Sequence, residues 1–188
     1  MRSLAALCFA ALLCACAGTP KPVAIAPPPA PKTVWIVGAD GRAIGQANFI
    51  EAPHGVLIRL EFSERSLSPG WHGLHLHMIG DCADAAAGFR ASGGHLGMGA
   101  RVTHGLMTPN GPEAGDLTNV FAPPTGLFAA EIFDPHVTLG PVARDHREPL
   151  LDADGSALIV HAGPDDQHSQ PIGGAGPRVG CAALTNLP

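Results

Sequence analysis

Apolar and polar side chains alternate along several short segments of the chain. The clearest is 56–62, where the two kinds of position follow each other with a period of two, the period of a half-buried β-strand. Its apolar positions are Val56, Ile58, Leu60 and Phe62, and Arg59 and Glu61 lie between them. Similar short runs occupy 34–37, 46–50, 74–78, 126–133, 157–161 and 178–184.

Glycine and proline separate these runs, and no window has the sustained apolar stripe of an amphipathic helix. The pattern therefore predicts an all-β domain, an antiparallel β-sandwich or flattened barrel of about eight strands. Two stretches without a strand pattern, 80–120 and 162–177, are predicted to be long loops. Long loops within a compact domain are usually functional, so we expect the chemistry of the protein to lie in or beside them.

The first 16 residues are typical of a secretion signal, with Arg2 before a short apolar run at 4–13. The run is too short for a membrane-spanning helix, which needs about 20 apolar residues. The segment ends Leu13-Cys14-Ala15-Cys16 and resembles the lipobox of bacterial lipoproteins, in which the signal is cut before a cysteine that is then acylated. Two interpretations stay open, a lipidated Cys16 and a plain cleaved signal peptide. Both export the protein to the bacterial cell envelope, and the first predicts a periplasmic protein anchored to a membrane.

The segment 17–32 is rich in proline and alanine, with three consecutive prolines at 27–29. Such a segment cannot bury a core and favours an extended conformation, so it is predicted to be a tether. The globular domain then covers 33–188. From Thr33 onward there are eight Lys and Arg against sixteen Asp and Glu, a net charge of −8. That charge argues against nucleic acid or an anionic membrane surface as a partner of the folded domain, and leaves the lipid anchor as its membrane contact.

Three cysteines remain if the signal is cut before Cys16: Cys16, Cys82 and Cys181. If Cys16 carries lipid, the other two are a lone pair in an oxidising compartment, where a disulfide is the default expectation. The alternative is two free buried thiols.

The sequence contains ten histidines, a high number for its length. In the run at 74–78, His75 and His77 share one face of the predicted strand, and Leu74, Leu76 and Met78 share the other. Two imidazoles side by side on a strand are candidate metal ligands, although this spacing alone is weak evidence. Further candidate ligands follow: His95 after two glycines, His104, Asp116, and His161 at the end of the run at 157–161.

Five motifs in a fixed order, at 71–82, 91–95, 115–117, 161–166 and 173–181, resemble the copper/zinc superoxide dismutase family. The first contains the family's HGxHxHxxGDC pattern. The resemblance implies a Greek-key β-sandwich and an enzyme that converts superoxide to dioxygen and hydrogen peroxide by cycling between Cu(II) and Cu(I). It implies that His75, His77, His95 and His161 bind copper and that His95, His104 and Asp116 bind zinc. It also implies that Arg178 guides superoxide to the copper, and that the carboxylate of Asp165 links a copper-binding and a zinc-binding histidine. The resemblance further implies a disulfide between Cys82 and Cys181 and a structural role for His72.

These implied roles agree with general metal chemistry. Imidazole suits both copper and zinc, and redox-inert zinc would orient His95 while His95 supplies protons. Superoxide is an anion and the domain is acidic, but a single Arg178 beside the copper can make a local attractive path.

Two positions depart from the family pattern. Glu113 stands where the family has a further zinc-binding histidine, three residues before Asp116. Three alternatives stay open: Glu113 is a zinc ligand through oxygen, a histidine elsewhere replaces it, or zinc binds weakly or not at all. The replacement candidates are His54, His136, His146 and His168. After His95 the chain has Leu96-Gly97-Met98, where the family often has Asn or Asp followed by proline. We expect this variation of the loop to have no clear chemical consequence.

Other functions remain open. A non-catalytic copper-binding protein of the envelope is the main alternative, although Met78, Met98 and Met107 lie outside the motif positions. A domain that kept the fold and lost catalysis, and a copper-only dismutase, are less favoured because the implied copper ligands, His104 and Asp116 are all present. The sequence is compatible with a monomer or a homodimer.

Overall fold

The computed structural model describes residues 27, 29–99 and 101–185. The predicted signal peptide, Cys16 and most of the tether lie outside the described residues. The first strand begins at Lys32, the last residue assigned to the tether. In the described part of the chain, no helix has the length and apolar character needed to cross a membrane.

The prediction of an all-β fold is confirmed, and the described residues contain almost no helix. The strands are β1 Lys32–Gly38, β2 Ala43–Ala52, β3 Gly55–Phe62, β4 Gly70–His72, β5 Leu74–His77, β6 Val120–Ala122, β7 Phe128–Asp134, β8 Val137–Thr138, β9 Glu148–Pro149, β10 Ser156–His161 and β11 Arg178–Leu184. Two single-turn 3₁₀-helices lie at Ala85–Ala87 and Arg90–Ser92. Each predicted strand corresponds to an observed one, whereas the two- and three-residue strands β4, β6, β8 and β9 were not predicted because such short segments show no periodicity.

Seven strands form one antiparallel sheet in the order β5-β10-β11-β1-β2-β3-β7, and β4 pairs with β6 in a separate two-stranded sheet. The sheet curls because its strands share one apolar core. In β3, the side chains of Val56, Ile58, Leu60 and Phe62 are buried in that core. The core also contains Leu74 and Leu76 of β5, from the opposite edge of the sheet. Each fully buried side chain of this size contributes roughly 1.5–3 kcal/mol relative to an exposed one.

β10 is buried along its whole length because both of its faces are covered. Leu158 and Val160 face the main core, while Ala157 and Ile159 pack in a second cluster against Phe89. Cys181 of β11 belongs to this second cluster and forms a disulfide with Cys82, with 5.8 Å between their Cα atoms. The disulfide confirms the predicted pairing and attaches the segment 82–93 to the outer face of β10 and β11.

Candidate metal centre

β5 places two histidines on one face and two leucines on the other. Leu74 and Leu76 enter the main core, so His75 and His77 point to the opposite side, as the strand period predicts. Both histidines are nevertheless buried, because the long loops cover that face.

Two backbone hydrogen bonds attach the first long loop to Leu76 of this strand, and a third joins two parts of the loop to each other. Leu96 N–H donates to the Leu76 carbonyl at 2.8 Å, Leu76 N–H to the Gly115 carbonyl at 2.8 Å, and Gly115 N–H to the Leu96 carbonyl at 2.9 Å. A Cβ at residue 115 would lie 2.2 Å from the Leu76 oxygen, so only glycine permits this approach. The pairing places His95 opposite His77 and Asp116 opposite His75.

Four histidines converge in front of β5. Potential ligand atoms of His75, His77, His95 and His161 all lie within 4.8 Å of one another. Among the described residues nothing accepts or donates a hydrogen bond at His75 Nδ1, His77 Nε2 or His161 Nε2, although all three atoms are buried. The second nitrogen of each of these rings is engaged: His75 Nε2 lies 2.6 Å from Asp165 Oδ2, His77 Nδ1 2.9 Å from the Gly93 carbonyl, and His161 Nδ1 2.9 Å from the Gly176 carbonyl.

These contacts determine which ring nitrogens carry protons. A carbonyl or carboxylate oxygen can only accept, so the engaged nitrogen carries the hydrogen and the buried, unpartnered nitrogen presents a lone pair. Burial lowers the pKa of His77 to about 2 and that of His161 to about 4, so both rings are neutral near neutral pH. Three lone pairs aimed into one small buried space fit a metal ion that prefers imidazole, such as copper.

A second group lies behind His95, on the side of its Nδ1 atom. That atom is 3.0 Å from Glu113 Oε2 and 3.4 Å from Asp116 Oδ1. His104 Nδ1 lies 2.7 Å from Asp116 Oδ1 and 3.8 Å from Glu113 Oε2. All four residues are at most 4% exposed. Two imidazole nitrogens and two carboxylate oxygens form a donor set that suits zinc.

The structure distinguishes among the residues considered for this second group. Glu113 is buried, whereas His54, His136, His146 and His168 are all exposed. His75 also has a nitrogen within 4.8 Å of ligand atoms of His95, His104 and Asp116. However, its Nε2 is bound to Asp165 and its Nδ1 is one of the three converging lone pairs, so His75 belongs to the first group.

Charge in the second group is unusually concentrated. Burial opposes ionisation, yet hydrogen bonds to Asp116 and Asp165 raise the pKa of His104 to about 10. Burial and the neighbouring Asp116 raise the pKa of Glu113. Carboxylates crowded into a water-poor space favour a bound cation, which would replace the proton on His104 Nδ1.

Asp165 connects the two groups. Its Oδ2 accepts from His75 Nε2 at 2.6 Å, and its Oδ1 lies 3.2 Å from His104 Nε2. Asn119 holds the backbone of Asp165 from both sides, accepting from its N–H at 2.9 Å and donating to its carbonyl at 2.8 Å. A Cβ at Gly173, which has φ +65°, would lie 1.8 Å from Asp165 Oδ1, so glycine is required there.

The family model described as copper/zinc superoxide dismutase matches residues 43–184, a segment that includes every residue of both groups. The chain belongs to the copper/zinc superoxide dismutase family.

Its relatives agree with this assignment. The chain is similar to a Cu-Zn superoxide dismutase of Caulobacter vibrioides, with 45% identity over 81% of this chain and 84% of the relative. It is also similar to a Cu-Zn superoxide dismutase of Aquifex aeolicus, with 34% identity over 79% of this chain and 83% of the relative.

Solved structures show the same fold. A double mutant of a SOD-like protein from Bacillus subtilis superposes with a TM-score of 0.74, is 32% identical and covers 82% of this chain and 97% of its own. The Cu/Zn superoxide dismutase from Brucella abortus superposes with a TM-score of 0.61, is 27% identical and covers 82% of this chain and 99% of its own. The cofactors of this dismutase are therefore copper and zinc, and its substrate is superoxide.

A channel leads from the surface of the dismutase to the first group. Its volume is about 320 Å³, and its lining includes His77, His95, His161, Arg90 and Arg178. The guanidinium group of Arg178 is held by three hydrogen bonds, to the Phe89 carbonyl at 2.6 Å, the Gly93 carbonyl at 2.8 Å and Ser92 Oγ at 3.1 Å. The disulfide-linked segment thus positions a cation in the channel wall.

Sequence reasoning missed several residues that shape the site. Phe89 is fully buried in the left-handed conformation at φ 55°, which is rare for a bulky residue, and its carbonyl anchors Arg178. Asn119 and Arg90 were also missed, and no local pattern marks any of the three. His72 lies with its ring nitrogens 2.7 Å from the His161 carbonyl and 2.8 Å from the Ser68 carbonyl, which is consistent with its predicted structural role.

Proposed function

We propose that this superoxide dismutase binds copper through His75, His77, His95 and His161, and zinc through His95, His104, Asp116 and Glu113. The observation that carries the copper assignment is the set of three buried lone pairs that converge with His95. The position of Glu113 Oε2 beside both His95 and His104 supports the zinc assignment. The globular unit 33–188 contains all of these residues.

Bound copper supplies one-electron chemistry, oxidising one superoxide to dioxygen and reducing the next to peroxide. The protein supplies position, charge and protons. Arg178 attracts and orients the anion at the channel wall, and Asp165 and the Gly93 and Gly176 carbonyls fix the histidine rings. His95 lies between the two groups with Nδ1 facing the zinc ligands, so its Nε2 would be the copper ligand and, whenever it leaves the copper, would carry a proton to the product.

The proposal is tested by measuring superoxide consumption by protein reconstituted with copper and zinc. We expect rapid dismutation that depends on copper. Fully copper-loaded protein without activity would contradict the proposal and would favour the non-catalytic copper-binding alternative.

Replacing Arg178 with alanine is expected to lower kcat/KM for superoxide by roughly tenfold or more, because local positive potential raises the association rate of an anion by 10- to 1000-fold. Without Arg178 the formal charge of the domain becomes −9 and dominates, so added salt should accelerate the variant by screening repulsion.

Arg59→Ala is the matched control, since it removes the same charge from the exposed face of β3. Its kinetics should resemble those of the wild type. Copper content should be unchanged in both variants. Equal rates for Arg178→Ala and Arg59→Ala would contradict the steering role.

Replacing Glu113 with alanine is expected to weaken zinc binding by at least about a hundredfold. Mutation of a residue that only supports a metal ligand already lowers metal affinity 10- to 100-fold, and loss of a ligand itself should cost more. Copper should still bind, since Glu113 approaches the first group only at His95 Nδ1, the nitrogen that faces the zinc ligands. Zinc competition with a chromophoric chelator measures the effect, with Glu64→Ala as the control at an exposed glutamate. Glu113→His should retain zinc, and unchanged zinc affinity in Glu113→Ala would exclude Glu113 as a ligand.

The proposed location is the bacterial cell envelope, with the enzyme in the periplasm and tethered by a lipidated Cys16. The lipobox-like segment, the similarity to bacterial dismutases and the disulfide, which requires an oxidising compartment, support this location. Mass spectrometry of the mature N-terminus tests it. An acylated Cys16 is expected, and an unmodified N-terminus elsewhere would contradict lipidation.

A further inference from the structure

Two methionines lie exposed beside the copper histidines. Met78 is 37% exposed and Met98 43% exposed, although methionine is usually buried. Met78 directly follows His77, and its N–H donates to the Gly94 carbonyl at 3.0 Å. Met98 N–H donates to the His95 carbonyl at 3.3 Å. Each methionine is therefore held by the backbone next to a copper ligand.

The two side chains both approach Gly94. A Cβ built on that glycine would lie 3.5 Å from Met98 Sδ and 3.7 Å from Met78 Cε. The Met78 side chain runs along the glycine pair, with its Cγ 3.0 Å from the Cβ position of Gly93, so its sulfur lies between the two glycines. Because residue 94 has no side chain, both methionine side chains can approach the position that its Cβ would occupy.

Gly94 is also part of the channel wall, together with His77 and His95. The two methionine side chains therefore adjoin a residue in the wall of the channel that leads to the copper histidines. In the described part of the chain both cysteines are in the disulfide, which leaves methionine sulfur as the softest exposed donor. Thioether sulfur prefers Cu(I), whereas imidazole binds both Cu(I) and Cu(II).

We propose that Met78 and Met98 form an entry site for Cu(I), from which the ion passes to the histidine site. The thioethers supply two soft ligands, and the donor of the ion supplies the remaining coordination until transfer. Transfer is a ligand exchange: copper–sulfur bonds break as copper–nitrogen bonds form at neutral imidazoles, and no electron moves. This role is separate from dismutation and goes beyond the metal sites proposed above.

Binding is tested with Ag(I), a redox-inert analogue of Cu(I), added to holoenzyme labelled with ¹³C at the methionine methyl groups. The histidine site is already filled in this protein, so new binding reports other ligands. We expect the Met78 and Met98 methyl signals to shift together, and the signal of Met107, which is 76% exposed, to shift only at higher Ag(I). Equal shifts at all three methionines, or none, would overturn the proposal.

Entry is tested by the rate of copper uptake by apoprotein from a Cu(I)–chelator complex. Met78→Leu/Met98→Leu preserves side-chain volume and removes both sulfurs. We expect uptake roughly tenfold slower, equivalent to about 1.4 kcal/mol of activation free energy, with the same final copper content and the same activity per copper. Met107→Leu is the matched control and should load at the wild-type rate. Equal rates in all three proteins would exclude an entry role.

Discussion

Replacing His161 with alanine is expected to reduce superoxide consumption to the background of free copper. The imidazole of His161 supplies one of three buried lone pairs in the first group, the proposed copper site, and its other nitrogen is already held by the Gly176 carbonyl. Loss of this ligand should weaken copper binding by more than about a hundredfold, because mutation of a residue that only supports a ligand already lowers metal affinity by up to that factor. The remaining nitrogens would no longer give Cu(II) four imidazole ligands, so the spectrum of any bound Cu(II) should change as well.

Copper affinity, the electron paramagnetic resonance spectrum of Cu(II) and superoxide consumption measure this effect. His168→Ala, at an exposed histidine, is the matched control and should behave like the wild type. Zinc content and thermal unfolding of His161→Ala show whether the rest of the site is intact. Wild-type copper affinity and activity in a folded His161→Ala protein would contradict the assignment of His161.

Replacing both Cys82 and Cys181 with alanine is expected to lower the free energy of unfolding by about 4–5 kcal/mol, the loop-entropy contribution for a loop of this length. The bond joins residues 99 positions apart, so it strongly restricts the unfolded chain. Activity should fall too, because the bond attaches the segment that carries the Phe89 carbonyl, the anchor of Arg178, to β11.

Chemical denaturation with and without reductant measures the contribution of the disulfide. Reductant should destabilise the wild type and have no effect on the double variant. The variant retains the apolar character of the second cluster at position 181, so the comparison isolates the covalent link. A wild-type protein whose stability is the same with and without reductant would contradict the prediction.

The strands that alternate clearly were predictable because alternation reports burial on one face. In β3, buried and exposed side chains follow the sequence pattern, and β5 divides Leu74 and Leu76 from His75 and His77 in the same way. β4, β6, β8 and β9 were not predictable, since two or three residues are too few to show a period. The pairing of Cys82 with Cys181 needed only a count of cysteines and the expected compartment.

The sequence by itself determined the all-β class, the family and the copper-ligand candidates, because strand alternation and short motifs can each be recognised within one segment of the sequence. Only the tertiary structure decided what surrounds them. It placed Glu113 beside His95 and His104, Asp165 on His75 across 90 positions, and Arg178 on Phe89 across 89. The physical reason is that each of these contacts involves an aperiodic loop, whose position depends on closing the sheet around its core and on the disulfide. No pattern within one segment records where another segment will lie.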